Sequence, residues 1–254
     1  MTQSPHHLVS PAGENLAYFH SNGKSPGVIF LGGFKADMSG TKATILSKWC
    51  FDQGLQFTRF DYSGHGQSQG RFVDGSIGRW LADSLLIVDK ITEGPQVIVG
   101  SSMGAWLMLL VALRRPERVA ALFGIAAAAD FTENLIWKNL DDTQRNSLAE
   151  SGKIDQPSSY QDEPYPVTMH LIEEARSHLL LEDSIPISCP VRLVHGQSDV
   201  DVPWQTSIKI GEKLTSDDVQ IHLVKDVEHR FSRAQDIQFI LDRLTDLLRH
   251  IKTS

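Results

Sequence analysis

Gly100-Ser101-Ser102-Met103-Gly104 sets one serine hydroxyl between two glycines. The short β-branched run Gln96-Val97-Ile98-Val99 precedes it, and the apolar stretch from Ala105 to Arg114 follows it. A five-residue match is weak alone. A strand turning sharply into a helix at G-x-S-x-G is a far stronger signal, because that turn exposes the central hydroxyl at the top of a sheet. Glycine on either side removes side chains that would collide, and the new helix directs backbone N–H groups at developing negative charge. Ser102 is therefore the candidate nucleophile; Ser101 is off the centre of the motif.

A nucleophilic serine needs a base, and the base needs an orienting acid. In sheets carrying this elbow the chain order is serine, then acid, then histidine. Val191–Val194 is followed by His195-Gly196-Gln197-Ser198-Asp199-Val200-Asp201-Val202-Pro203, and Gln220–Val224 by Lys225-Asp226-Val227-Glu228-His229-Arg230. Asp199 and His229 thus fall in the loops after the last two strands, at the same sheet end as Ser102. Asp201 is the competing acid. Asp199 is preferred because it is the earlier turn residue, whereas Asp201 runs into the helix start at Val202-Pro203. His65 precedes the serine and His222 falls within a strand, so both read as structural. Leu31-Gly32-Gly33-Phe34 ends the first long strand, where glycines permit close backbone approach. The backbone N–H groups of Phe34 and Met103 are assigned as oxyanion donors.

These residues need a sheet to carry them. Short apolar runs at Gly27–Leu31, Gln56–Phe60, Gln96–Gly100, Ala120–Ile125, Val191–His195 and Val219–Val224 suit strands covered on both faces. Helical patterns lie near 38–53, 76–92, 103–115, 204–215 and 234–252, and a hairpin turning at Pro11-Ala12-Gly13 opens the chain. Strand–helix alternation predicts an α/β fold with a mostly parallel central sheet and right-handed crossovers, as one domain over 1–254. Between 131 and 184 no strand candidate occurs, and Pro157, Pro164 and Pro166 interrupt helical patterns. That insertion reads as a helical cap over the sheet's carboxyl ends. Its aromatic and aliphatic residues, Tyr160 and Tyr165 among them, would roof an apolar acyl pocket, with Leu135, Ile136 and Trp137 as its contributors. Trp80 reads as core and Asp83 as a surface polar residue.

The chain of 254 residues has a net charge of −7 and no basic stripe, which argues against nucleic acid as a partner. No apolar run reaches the roughly 20 residues of a membrane span. Cys50 and Cys189 stand far apart and read as buried thiols. No Cys/His spacing suggests a metal, and no cofactor is expected. The stretch Met1 to His7 has neither an apolar core nor an Arg-rich pattern, so a cytoplasmic location is expected.

In order, Gly32-Gly33-Phe34, Asp61-Tyr62-Ser63-Gly64-His65-Gly66, the serine motif, His195-Gly196 through Asp199 to Val202-Pro203, and His229 resemble the α/β-hydrolase superfamily over nearly the whole chain. Met38-Ser39-Gly40-Thr41-Lys42-Ala43, Gly104-Ala105-Trp106-Leu107 and Cys189-Pro190-Val191-Arg192-Leu193-Val194-His195-Gly196 narrow the likeness to animal palmitoyl-protein thioesterases and acyl-glucuronide esterases and their bacterial relatives. The resemblance implies cleavage of carboxylic esters or thioesters through an acyl-enzyme, with Ser102, Asp199 and His229 as the triad. It implies a small-molecule acyl ester or thioester as substrate, or an acylated protein. Cofactor-free C–C hydrolysis or perhydrolysis on the same triad stays open, as does a non-catalytic ligand-binding role.

Overall fold

The computed structural model describes residues 4–156 and 164–253. Its main sheet is built from β1 (His6–Val9), β2 (Asn15–Ser21), β3 (Lys24–Leu31), β4 (Leu55–Phe60), β5 (Gln96–Ser101) and β6 (Val119–Ile125), joined late in the chain by β9 (Val191–Gly196) and β10 (Val219–Val224). The spatial order is β1-β2-β4-β3-β5-β6-β9-β10. The first hairpin pairs antiparallel, β2 runs antiparallel to β4, and the remaining neighbours are parallel. The apolar runs are explained by this arrangement, since β5 and β9 are buried at every position. Alternate side chains serve opposite faces, as a two-residue period requires. Ile29, Leu31, Ile98 and Leu193 join one core with α2 (Ile77–Ile91) and α3 (Met103–Arg114). Val28, Val97, Val99 and Val194 join the other with α1 (Thr41–Gln53) and α7 (Ala234–Thr253). Helix α3 is apolar nearly all round because every residue from Met103 to Ala112 is buried.

Asp83 corrects the sequence reading. It is 2% exposed and accepts hydrogen bonds from the Ser63 backbone N–H (2.8 Å) and hydroxyl (2.7 Å). Burial pushes its pKa up against those donors. Neighbouring Trp80 is core, as expected, and its Nε1 donates to the Ser63 carbonyl at 3.1 Å. A polar residue on an amphipathic helix looks like a surface residue until the loop that folds over it is known.

Residues 131–184 hold more than helices. After α4 (Asp142–Ser151), β7 (Lys153–Gln156) pairs antiparallel with β8 (Tyr165–Thr168), and α5 (Met169–Ala175) follows. These four-residue strands escaped the pattern search because Pro166 stands in β8, opposite Asp155, as proline can at a two-stranded edge. Pro157 and Tyr160 lie outside the described residues. Asp130, at φ 58°, is buried at the head of the segment and accepts from the N–H groups of Leu180 (2.9 Å) and Leu181 (2.8 Å) at its tail. Cys50 is buried and Cys189 half-buried; both are free thiols. Among the described residues no helix is long and apolar enough to cross a membrane.

Candidate active site

The carboxyl ends of β3, β5, β9 and β10 meet at one edge, where open parallel sheets place their ligands. Ser102 caps β5 at φ 56° and ψ −120°, a conformation that L-residues avoid. Its N–H donates to the Ile125 carbonyl (2.9 Å), and its carbonyl accepts from Ala105 N–H (2.9 Å) and Ala128 N–H (3.2 Å). The strained turn is thereby fixed from three sides. A side chain at Gly100 would strike the backbone of Gly104 and Ala105, and one at Gly104 would strike the carbonyls of Leu31 and Gly32. The two glycines are therefore sterically required.

His229 follows β10 and places Nε2 3.1 Å from the Ser102 hydroxyl. Its Nδ1 lies 2.7 Å from Asp199 Oδ2. Because an ionised carboxylate only accepts, Nδ1 carries the proton and Nε2 faces the serine with a lone pair. The other carboxylate oxygen, Oδ1, accepts from the backbone N–H groups of Asp201 (3.0 Å) and Val202 (2.9 Å). Burial works to raise the Asp199 pKa, but hydrogen bonds from His195 and His229 overcome it and hold the carboxyl well below the usual range. Asp201, the rival acid, lines the cavity beside His229, with a carboxylate oxygen within 4.8 Å of a ring nitrogen of that histidine, and gives its backbone N–H to Asp199.

The turn after β3 passes close to the serine. A Cβ built on Gly33 would lie 3.4 Å from Ser102 Cβ, so only a bare backbone comes this near without pressure. Met103 opens α3, where N–H groups have no partner within the helix. The Phe34 ring meets Phe72, Trp80, Phe131 and Tyr165 edge-on, with centroids 4.9–5.8 Å away. Beyond it, Lys35 adopts φ 58° and donates its N–H to His65 Nε2 at 3.2 Å. His65 Nδ1 lies 3.3 Å from the Ser63 carbonyl, so His65 supports the loop, as expected, rather than the serine.

Burial lowers the His65 pKa to about 4. The unfolded value is about 6.5. Between those values the unfolded chain binds a proton that the native chain refuses, so stability falls as pH drops. Urea midpoints should decline from pH 7 to 4.5, with His65 contributing up to about 1.4 kcal/mol per pH unit. His65→Gln should flatten part of that decline; identical slopes would show that His65 stays neutral in both states or charged in both.

A cavity of roughly 700 Å³ opens over Ser102 and His229. Its apolar wall comes from Ala128, Phe131, Leu135, Ile136 and Leu140; Lys42, Tyr165, Asp201 and Arg230 add polar groups. Leu135 and Ile136 line it. Trp137 does not. The chain widens into a π-turn over Thr132–Ile136 and then tightens from Trp137 to Asn139, which swings the indole away. There Arg145 and Arg176 stack over its ring at 5.4 and 5.0 Å, and it packs with Leu140 and Leu148. Sequence reasoning overlooked Lys42, whose Nζ donates to the Arg230 carbonyl at 2.6 Å, because nothing local marks a residue of α1 as facing this cavity.

Comparison with known proteins places the chain among hydrolases. Residues 26–163 match the family described as Hydrolase_4: Serine aminopeptidase, S33. The chain is 42% identical to human palmitoyl-protein thioesterase ABHD10, mitochondrial, over 247 residues, 97% of this chain and 80% of that protein. The mouse α/β hydrolase domain-containing protein 10 superposes with a TM-score of 0.91 at 39% identity, covering 98% of this chain and 100% of that one. A putative hydrolase from Agrobacterium vitis S4 gives 0.92 at 36% identity, covering 96% and 98%. These relatives correct one expectation. A cytoplasmic location does not stand, because the matched curated proteins are named as mitochondrial. With the fold, the serine turn and these matches together, the chain belongs to the Hydrolase_4, serine aminopeptidase S33, family of α/β-hydrolases.

Proposed function

We propose that the protein hydrolyses acyl esters and thioesters through an acyl-enzyme, with Ser102 as nucleophile, His229 as general base and acid, and Asp199 as orienting acid. The observation that carries this reading is the unbroken chain Ser102 Oγ to His229 Nε2 (3.1 Å) and His229 Nδ1 to Asp199 Oδ2 (2.7 Å). As Oγ attacks the acyl carbon, Nε2 takes its proton, and Asp199 stabilises the imidazolium without itself being protonated. The carbonyl oxygen becomes an oxyanion that accepts from the N–H groups of Phe34 and Met103. His229 then returns the proton to the departing alkoxide or thiolate. Water repeats the sequence to release the acid, and no cofactor enters the chemistry.

The 131–184 segment serves in this reading as the cap, and its apolar wall as the seat of the acyl chain. The relatives' name, palmitoyl-protein thioesterase, supports a long acyl group carried on a protein thiol. Each buried methylene contributes about 0.8 kcal/mol. The kcat/KM for p-nitrophenyl esters should therefore climb several-fold per added carbon pair until the cavity fills. Ile136→Trp should move the optimum to shorter chains, while Trp137→Ala leaves the profile unchanged. A profile that falls steadily from acetate would reject an extended acyl site.

A further inference from the structure

His195 is the penultimate residue of β9, entirely buried, and it faces α6 (Gln205–Lys213) rather than the cavity. Its Nε2 lies 3.1 Å from Asp199 Oδ2 and 3.0 Å from the Val202 carbonyl oxygen. Both of these accept only, so Nε2 carries the proton and donates. On the far side of the ring, Nδ1 lies 2.7 Å from the Ser207 hydroxyl, which is also fully buried. One carboxylate oxygen thus serves two imidazoles: His229 on the cavity side and His195 behind it. With the Asp201 and Val202 N–H groups on Oδ1, the Asp199 side chain is saturated by four donors and has no exposed surface.

We infer that His195, fixed by Ser207, is a positioning residue for hydrolysis, acting on His229 through Asp199. This role rests on the triad proposed above and has two parts. First, Nε2 sets the direction of Oδ2. Without that donor the carboxylate has only His229 to hold Oδ2, and the plane that presents it to Nδ1 is free to rock. Second, a donor on Oδ2 drains charge from the atom that stabilises the His229 imidazolium. Removing it strengthens the Asp199–His229 attraction, so His229 holds its proton to higher pH and fewer molecules carry a free base. Charged groups facing the same cavity or beside His229 are Asp201 from the loop after β9, one of whose carboxylate oxygens lies within 4.8 Å, Lys35 and Asp37 from the loop after β3, Lys42 from α1, and Glu228 and Arg230 in its own loop. All of them stay in place when His195 is changed.

The test follows the rate of fluorophosphonate labelling at Ser102 against pH, with unfolding midpoints for each variant. His195→Leu should slow labelling by up to about 10²-fold on the high-pH plateau, as a misplaced catalytic group does. Its acid limb should move up by about half a pH unit. His195→Gln places an amide N–H at nearly the same reach and should recover most of the rate and the wild-type limb. Ser207→Ala keeps the imidazole but frees its far side; it should move the limb in the same direction by less, and it covers the case in which His195→Leu does not fold. Folded His195→Leu with wild-type rate and limb would overturn the proposal. So would equal losses in the Leu and Gln variants with no movement of the limb, because packing alone would then explain both. Wild-type protein that labels elsewhere than Ser102 would overturn the triad itself, and the role of His195 with it.

Discussion

Ser102→Ala is expected to lower kcat by about 10⁴-fold or more and to leave a folded protein. The substitution deletes one oxygen. The strain at this position lies in the backbone, at φ 56°, and is held by hydrogen bonds of the main chain with Ile125, Ala105 and Ala128 that alanine also makes. Unfolding midpoints should therefore stay close to wild type, while the acyl-enzyme can no longer form. Residual hydrolysis would come from binding and from the Phe34 and Met103 N–H groups alone. Mass spectrometry after fluorophosphonate treatment should find the adduct on Ser102 in the wild-type protein and on no residue of the variant. An adduct elsewhere, or undiminished turnover, would move the nucleophile.

Asp199→Asn should cost about 10³- to 10⁴-fold in kcat, since an amide at this position favours the wrong tautomer of the base. It should also lower stability by about 1–3 kcal/mol, the cost of leaving buried donors unsatisfied. An amide offers one accepting oxygen where the carboxylate offers two, and four N–H donors converge on that side chain. The pH dependence carries a sign. The carboxyl is held below its ordinary range when folded, so its stabilisation is present above the unfolded pKa of about 4 and is lost as pH falls further. That loss should be absent in the variant. Asp201→Asn should change kcat by less than about tenfold, because its backbone N–H, which it retains, makes the bond to Asp199. The reverse ranking would make Asp201 the orienting acid.

The centre of the sheet was legible because β5 and β9 are buried at every position and so spell short apolar runs, Gln96 to Gly100 and Val191 to His195. The serine turn was legible because a strand running into a helix at G-x-S-x-G is a local pattern, although Gly104 is dictated by the distant carbonyls of Leu31 and Gly32. Asp199 and His229 were placed by the order of the strands they follow, and Asp199 was preferred to Asp201 as the earlier turn residue. What escaped depends on contacts distant in the chain. Asp83 is buried by a loop 20 residues earlier. Trp137 is turned away by a change of helical pitch that no apolar periodicity records. The hairpin β7–β8 is too short, and too rich in proline, to announce itself. His195 sat inside a quoted motif, yet its role needs a serine twelve residues later and a carboxylate already assigned to another partner.

The Asp130 carboxylate ties the N–H groups of Leu180 and Leu181 to the residue that begins the insertion, so some fifty residues leave and rejoin the sheet at a single clasp. Closing such a loop costs little more when it grows, about 0.6 kcal/mol for each doubling of its length. Changes of length inside the segment therefore cost the closure little, whereas Phe131, Leu171 and Ala175, which pack into the main core, and Glu174 and His178, which bond Gly78 and Trp106, have to be kept. New acyl preferences are reachable by changing the rest of that segment on an intact Ser102–His229–Asp199 frame, provided the aspartate and the two N–H groups it holds are carried along.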